Sequence, residues 1–292
     1  MEPTLKVLLA LWPWRPEVLF VLTLTGGTYL TGWRRLRRRR ASSAAVLGLA
    51  SYLGGLTAIG IALLSPVDEL GARLFVMHMV QHELLTMIAP PLLLLANPLP
   101  PLLWGLPPGP RRRVGRLLTP SAPLRRGWRA LTMMWVAWPL HVATVWGWHL
   151  SPGYEAALGS ELIHNLEHLS FFLTALLFWW PIINPAPRLH GHIPHGLRIA
   201  YVIPSLFQSL ALGAFFAFIS TKVVYPSYLV APRLWGLTAL QDQGLGGMLM
   251  MEVEGLIYLA TALILMARLL DREERMARLR EAPEVRLRKA PP

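Results

Sequence analysis

Two histidine pairs, His78/His82 in VMHMVQHELLTM and His164/His168 in ELIHNLEHLSFF, repeat an i, i+4 spacing inside apolar surroundings. On a helix that spacing puts both rings on one face, one turn apart. Two such pairs can supply four imidazoles to one metal or two each to a pair of metals, and imidazole suits copper, zinc, iron and nickel. The chain has no cysteine, so thiolate ligands and disulfides are excluded, and any soft ligand must be one of its 11 methionines. Met248 and Met251 in GGMLMMEVEG share a helical face with Glu252 and narrow the choice toward copper(I). Glu83 and Glu167, each next to a paired histidine, are candidates to fix a ring tautomer, although Glu83 points about 140° round the helix from His78. His141, His149, Met248, Met251, Glu252 and Asp242 are candidate auxiliary or transfer ligands. Taken singly, His141 and His149 each also read as hydrogen-bonded glue between helices. Haem clamped between the two pairs is the alternative ligand. A metal-free scaffold, its histidines bonding to one another, is the third reading.

The elements that must position these residues are membrane helices. The 292 residues are 54% hydrophobic and only 15% charged, against about a quarter charged in soluble domains. Seven segments have the length and apolarity of a span: about 17–33, 44–64, 73–97, 129–149, 162–183, 199–220 and 244–267. The expected fold is therefore all-α, a polytopic seven-helix membrane bundle over residues 1–268, followed by a basic tail at 269–292. Residues 5–12 are too short to span and are expected at the interface. Residues 98–128, rich in proline and arginine, read as a linker with a surface helix.

The net charge of +12 does not indicate nucleic-acid binding, because the basic residues fall in the gaps between apolar runs. Alternate gaps hold 23 of the 28 lysines and arginines, beginning with RRLRRRR at 34–40. The positive-inside rule then sets the N-terminus outside and the C-terminus in the cytoplasm, with anionic lipid at the basic face. In that topology His78 lies roughly 7–8 Å below the outer surface, with His82 one turn deeper. His164 and His168 fall at matching depth. Pro90 and Pro91 must interrupt the third span below the histidines. Asp242, in DQGLGG, is expected to cap the seventh span, and Gly244, Gly246 and Gly247 to allow close helix approach or an irregular turn. YPSY at 225–228 reads as an outer loop with aromatic anchors. HGHIPH, with His190, His192 and His195, reads as a solvated cytoplasmic loop. No nucleotide-binding or nucleophile motif is present, so an enzyme is not expected.

HMVQHELLTMIAPPLLLL, WHLSPGYEAAL, HNLEHLSFFLTALLFWWPII, YPSY and DQGLGGMLMM occur in this order. Together they resemble the CtaG proteins, multi-span assembly factors of caa-type cytochrome c oxidases, over roughly residues 45–268. The resemblance implies a seven-span protein of the bacterial plasma membrane, needed for a functional oxidase. It further implies a metallochaperone that delivers copper to oxidase subunits, whose copper centres lie toward the extracytoplasmic side. By position it carries over His78, His82, His164 and His168, with Asp242 and Gln243 as a polar pair opening the last span. The chain departs from the family's usual Met-Trp at Met250-Met251, and Glu83 is a second departure.

Overall fold

The computed structural model describes residues 12, 14–38 and 43–288, and no strand occurs among them. Each of the seven apolar segments contains a helix. The chain opens with α1 (Pro16–Arg37) and α2 (Ser43–Leu64), then a short α3 (Pro66–Gly71). The third segment is α4 (Phe75–Glu83), a π-helical turn at Leu84–Ile88, and α5 (Ala89–Leu95). Three short helices follow: α6 (Leu99–Gly105), α7 (Pro108–Leu117) and α8 (Pro123–Leu131). Then come α9 (Met134–His149), α10 (Ser151–Gly159), α11 (Glu161–Ile183) and α12 (His195–Ala214), the last extended by a π-helical turn at Phe215–Ile219. The chain ends with α13 (Ser227–Val230) and α14 (Ala239–Arg288).

By length and composition, four helices among the described residues can cross a membrane: 44–64, 161–183, 195–219 and 239–278. Phe75–Leu95 with Leu99–Gly105, bent by 70°, makes a fifth. The remaining two segments are shorter or less apolar. α9 has 16 residues, because Met133 before it is extended and a separate helix occupies the residues expected to begin that span. α1 ends in Arg34, Arg35 and Arg37. Residues 5–12 fall almost wholly outside the described residues, as do Arg39 and Arg40.

The broken third segment has a local cause. Pro90 has no N–H to give the carbonyl of Thr86 and its ring crowds that carbonyl. The helix widens to a π turn, with the Ala89 N–H bonded back to Leu84. The freed Thr86 carbonyl accepts from Trp179 Nε1 of α11 at 3.1 Å. A polar group that lipid could not satisfy is thus satisfied by the next helix.

The proline-rich stretch after it is not a plain linker. α6 folds back against α1, and the contact is backbone to backbone. A Cβ at Gly32 would lie 1.7 Å from the Pro101 carbonyl oxygen, and one at Gly105 would lie 2.0 Å from that of Thr28. Gly32→Ala should therefore push the two helices apart and lower stability by about 1–3 kcal/mol, the usual range for overpacking. Gly27→Ala, five residues earlier with open space at its Cβ, should be neutral or slightly stabilising. Thermal unfolding of both variants in detergent checks the contrast; equal melting temperatures would refute it.

The basic residues sort into two sets of contacts. Arg15 bonds to Asp68 and Asn165, and Arg233 to the Arg73 carbonyl. Separately, Arg35 bonds to the Trp104 carbonyl, Arg125 to those of Leu118 and Arg188, and Arg272 to His192. No bond in either group joins a residue from one predicted side to one from the other. The described part of residues 269–292 continues α14 without a break.

Candidate metal centre

α4 and α11 bring matching i, i+3, i+4 stripes to one place: His78, Gln81, His82 on one, His164, Glu167, His168 on the other. The imidazoles meet in one cluster. Ring centroids are 4.4 Å apart for His78 and His82, 4.1 Å for His164 and His168, 5.1 Å for His78 and His164, and 5.5 Å for His82 and His168. Glu167 lies within the cluster, fully buried, with Oε2 at 3.5 Å from His78 Nε2 and Oε1 at 3.7 Å from His82 Nε2. One donor atom from each of His78, His82, Glu167 and His168 lies within 4.8 Å of the other three. A tetrahedral ion at 2.0–2.1 Å from each donor needs about 3.4 Å between donors, so a modest inward closure of the side chains suffices.

The hydrogen-bond inventory shows what the cluster lacks. Both carboxylate oxygens of Glu167, both ring nitrogens of His82 and His168, and Nε2 of His78, His149 and His164 are buried without a hydrogen-bond partner. Buried polar atoms are otherwise nearly always paired, and each exception is costly. One ligand atom from each of His78, His82, Glu167 and His168 comes to a common point among these orphaned groups, which fits a cation placed there. The donor set, three imidazoles and a carboxylate, suits a transition-metal ion.

Outer contacts orient two of the rings. His149, at the end of α9, has Nδ1 at 2.7 Å from the Val145 carbonyl, so the proton belongs on Nδ1 and the lone pair on the unpartnered Nε2. Its ring lies 5.9 Å from that of His82. The Tyr228 hydroxyl donates to the Gly71 carbonyl at 2.8 Å, so its oxygen is left to accept. His78 Nδ1 lies 3.4 Å from that oxygen, which favours a proton on Nδ1 and a lone pair on Nε2, toward Glu167. Tyr154 of α10 bonds Tyr228 at 2.9 Å and stacks on Tyr225 at 3.8 Å, and Tyr225 donates to the His149 carbonyl at 2.8 Å.

This chain matches a family described as cytochrome c oxidase caa3 assembly factor (Caa3_CtaG) over residues 27–272. The chain belongs to that family. Similar relatives include an uncharacterized protein of Mycobacterium bovis, 28% identical over 84% of this chain and 37% of the relative. An uncharacterized protein of Mycobacterium leprae is 26% identical over 90% of this chain and 40% of the relative. The chain thus spans about two fifths of the length of the curated relatives it matches. No solved structure matches it.

In this Caa3_CtaG member the remaining candidates take different places. His149 and Glu167 join the four paired histidines, and Glu167 stands among the donors rather than behind them. His141 lies apart, stacked on Phe178 at 5.1 Å and bonded to Thr174 at 3.2 Å, as helix-to-helix glue would be. The span-seven residues point elsewhere. Met248 and Glu252 are exposed on α14, and Met251 packs against Gly213 of α12. Glu83 faces a second buried carboxyl, Glu254 of α14, instead of supporting a histidine ring.

Asp242 departs from its expected role. It lies in the first turn of α14, as the dipole argument expects, but its oxygens cap α4, accepting from the N–H of Phe75 at 2.8 Å and of Val76 at 3.0 Å. Gly246 and Gly247 are close approaches, to Phe75 and to Gly213 and Ala217, whereas Gly244 has space. His190 bonds Thr132 at 2.8 Å, so HGHIPH is partly tied down. YPSY is no interfacial anchor: Tyr225 and Tyr228 are each 1% exposed and serve the histidine cluster. Sequence reading also missed Arg15, Asp68 and Tyr154. Their signal, charges or hydroxyls beside the apolar runs, is present but has no local partner.

Proposed function

We propose that this protein is a seven-span assembly factor of the bacterial plasma membrane. It holds copper between α4 and α11 and delivers it to a subunit of a caa3-type cytochrome c oxidase. His78, His82, Glu167 and His168 are the ligands, with His164 and His149 beside them. The carrying observation is the convergence of orphaned buried donors on one point. Copper is the cargo that matches both this donor set and the family's description, since cytochrome c oxidases are copper enzymes. The site takes copper on three imidazoles and a carboxylate, from His78, His82, His168 and Glu167. Direct contact among the histidine rings suits a small ion better than a macrocycle, which needs a flat slot. The mechanism is ligand exchange without covalent catalysis.

The topology proposed with it places the N-terminus outside and the C-terminus in the cytoplasm. Its support is the 23-to-5 division of basic residues and their sorting into two separate sets of contacts. The histidine cluster then lies in the outer half of the membrane, and the basic gaps face anionic cytoplasmic lipid.

Two measurements test the proposal. Elemental analysis of the purified protein should give about one copper per chain, with no Soret band. Oxidase purified from cells lacking this protein should be deficient in copper and keep its haem. A fully metallated oxidase from those cells would sink the delivery role, and a stoichiometric Soret band would replace copper by haem.

A further inference from the structure

A second donor set adjoins the first. Asp68, His164 and His168 each offer an atom within 4.8 Å of the others, and His168 belongs to both sets. This second set borders a cavity of about 380 Å³, lined by Trp14, Arg15, Asp68, Glu69, Glu161 and His164. His164 is half-buried at that edge, while His78 and Glu167 are fully enclosed. The cavity therefore borders the histidine cluster at its His164 edge, and three carboxylates among its lining attract a cation.

Arg15 occupies this position. Its Nη2 lies 3.0 Å from Asp68 Oδ2 and its Nη1 donates to Asn165 Oδ1 at 2.9 Å. The other Asp68 oxygen accepts from Gln81 Nε2 at 2.6 Å, so Gln81 on the inner stripe holds the carboxylate in place. A guanidinium and a metal ion compete for one carboxylate oxygen. A cation bound at Asp68 therefore competes with Arg15 for Oδ2 or with Gln81 for Oδ1.

We infer that Asp68, His164 and His168 form a vestibule site, gated by Arg15, through which copper reaches the inner ligands. This rests on the copper reading above. Both nitrogens of His168 are buried and unpartnered. A neutral imidazole offers one lone pair at a time, so the two sites fill in turn and the ion moves inward by exchange at His168. Asp68 loads the site, and Arg15 keeps it closed when no ion is present.

The gate predicts opposite effects for two partners of one ion pair, whereas a structural ion pair predicts the same effect for both. The probe is copper(I) buffered by bicinchoninate, with uptake by the full-length protein in nanodiscs followed by stopped flow. Asp68→Asn should slow uptake by about tenfold or more, and Arg15→Gln should speed it by a similar factor, within the range that local charge exerts on association rates. The double variant, which leaves no unpaired charge, should load slowly like Asp68→Asn. His78→Ala/His82→Ala should keep a weakly held copper that adding Asp68→Asn removes. Changes in the same direction for Asp68→Asn and Arg15→Gln, or unchanged rates in both, overturn the vestibule while leaving the inner site standing. Wild-type protein that takes up no copper overturns both.

Discussion

Replacing His78 and His168 together by alanine should strip copper from the purified protein. His78 is fully buried, His168 is 4% exposed, and they come from the two helices that face each other across the site. Their loss leaves one imidazole and one carboxylate, too few to hold an ion against competing chelators. A supporting group behind a ligand is worth roughly 10–100-fold in affinity, and two direct ligands should exceed that by a wide margin. The fold should survive. The rings are buried with ring nitrogens unpartnered, and each such group costs about 1–3 kcal/mol, so truncation removes a penalty as well as packing. Copper itself gives the cleaner sign. At a hundred times its dissociation constant it should stabilise wild type by about 2.7 kcal/mol and leave the variant unmoved. Equal copper in both proteins, with no copper-dependent shift in melting, would leave the histidines as a scaffold.

The histidines were legible because the relevant geometry is local. An i, i+4 pair on a helix must share a face whatever surrounds it. Glu167 was visible as a neighbour of His168, but its place inside the cluster follows from its being i+3 from His164. The parallel HxxQH and HxxEH patterns carry that signal, and Gln81 completes the other stripe. The helix positions were legible from the apolar runs, and the interruption at Ala89–Pro91 from its prolines. The π turn that absorbs the interruption needs Trp179 in reach of Thr86, which no local pattern states. Likewise Tyr225, Tyr228, Asp68 and Arg15 act across long separations, and a proline-rich stretch looked like a linker because its packing depends on Gly32 in another helix. The methionines of span seven misled for a physical reason. A helical face is readable from sequence, but which neighbour it meets is set by the bundle. That bundle turns Met248 outward and Met250 inward.

Asp242→Ala should both destabilise the protein and loosen the metal centre, although Asp242 sits on α14 and not on either ligand helix. Its two oxygens satisfy two of the orphan N–H groups at the start of α4, three residues before His78. The side chain is fully buried, so alanine would leave those donors with neither protein nor water to bond. Each unsatisfied buried donor costs about 1–3 kcal/mol, and the negative charge at a helix N-terminus is lost as well. A total loss of about 2–6 kcal/mol follows. The first turn of α4 is then free to shift, and His78 shifts with it, so copper affinity should fall by roughly the 10–100-fold that supporting groups confer. Asp242→Asn keeps one acceptor oxygen and should recover about half of each effect. Thermal unfolding and competitive copper titration on the same samples separate the possibilities. Lost stability with unchanged affinity would make Asp242 a fold-holding residue alone. Unchanged values of both would mean that α4 does not depend on its cap, and that the histidine pair is positioned by its contacts with α11 instead.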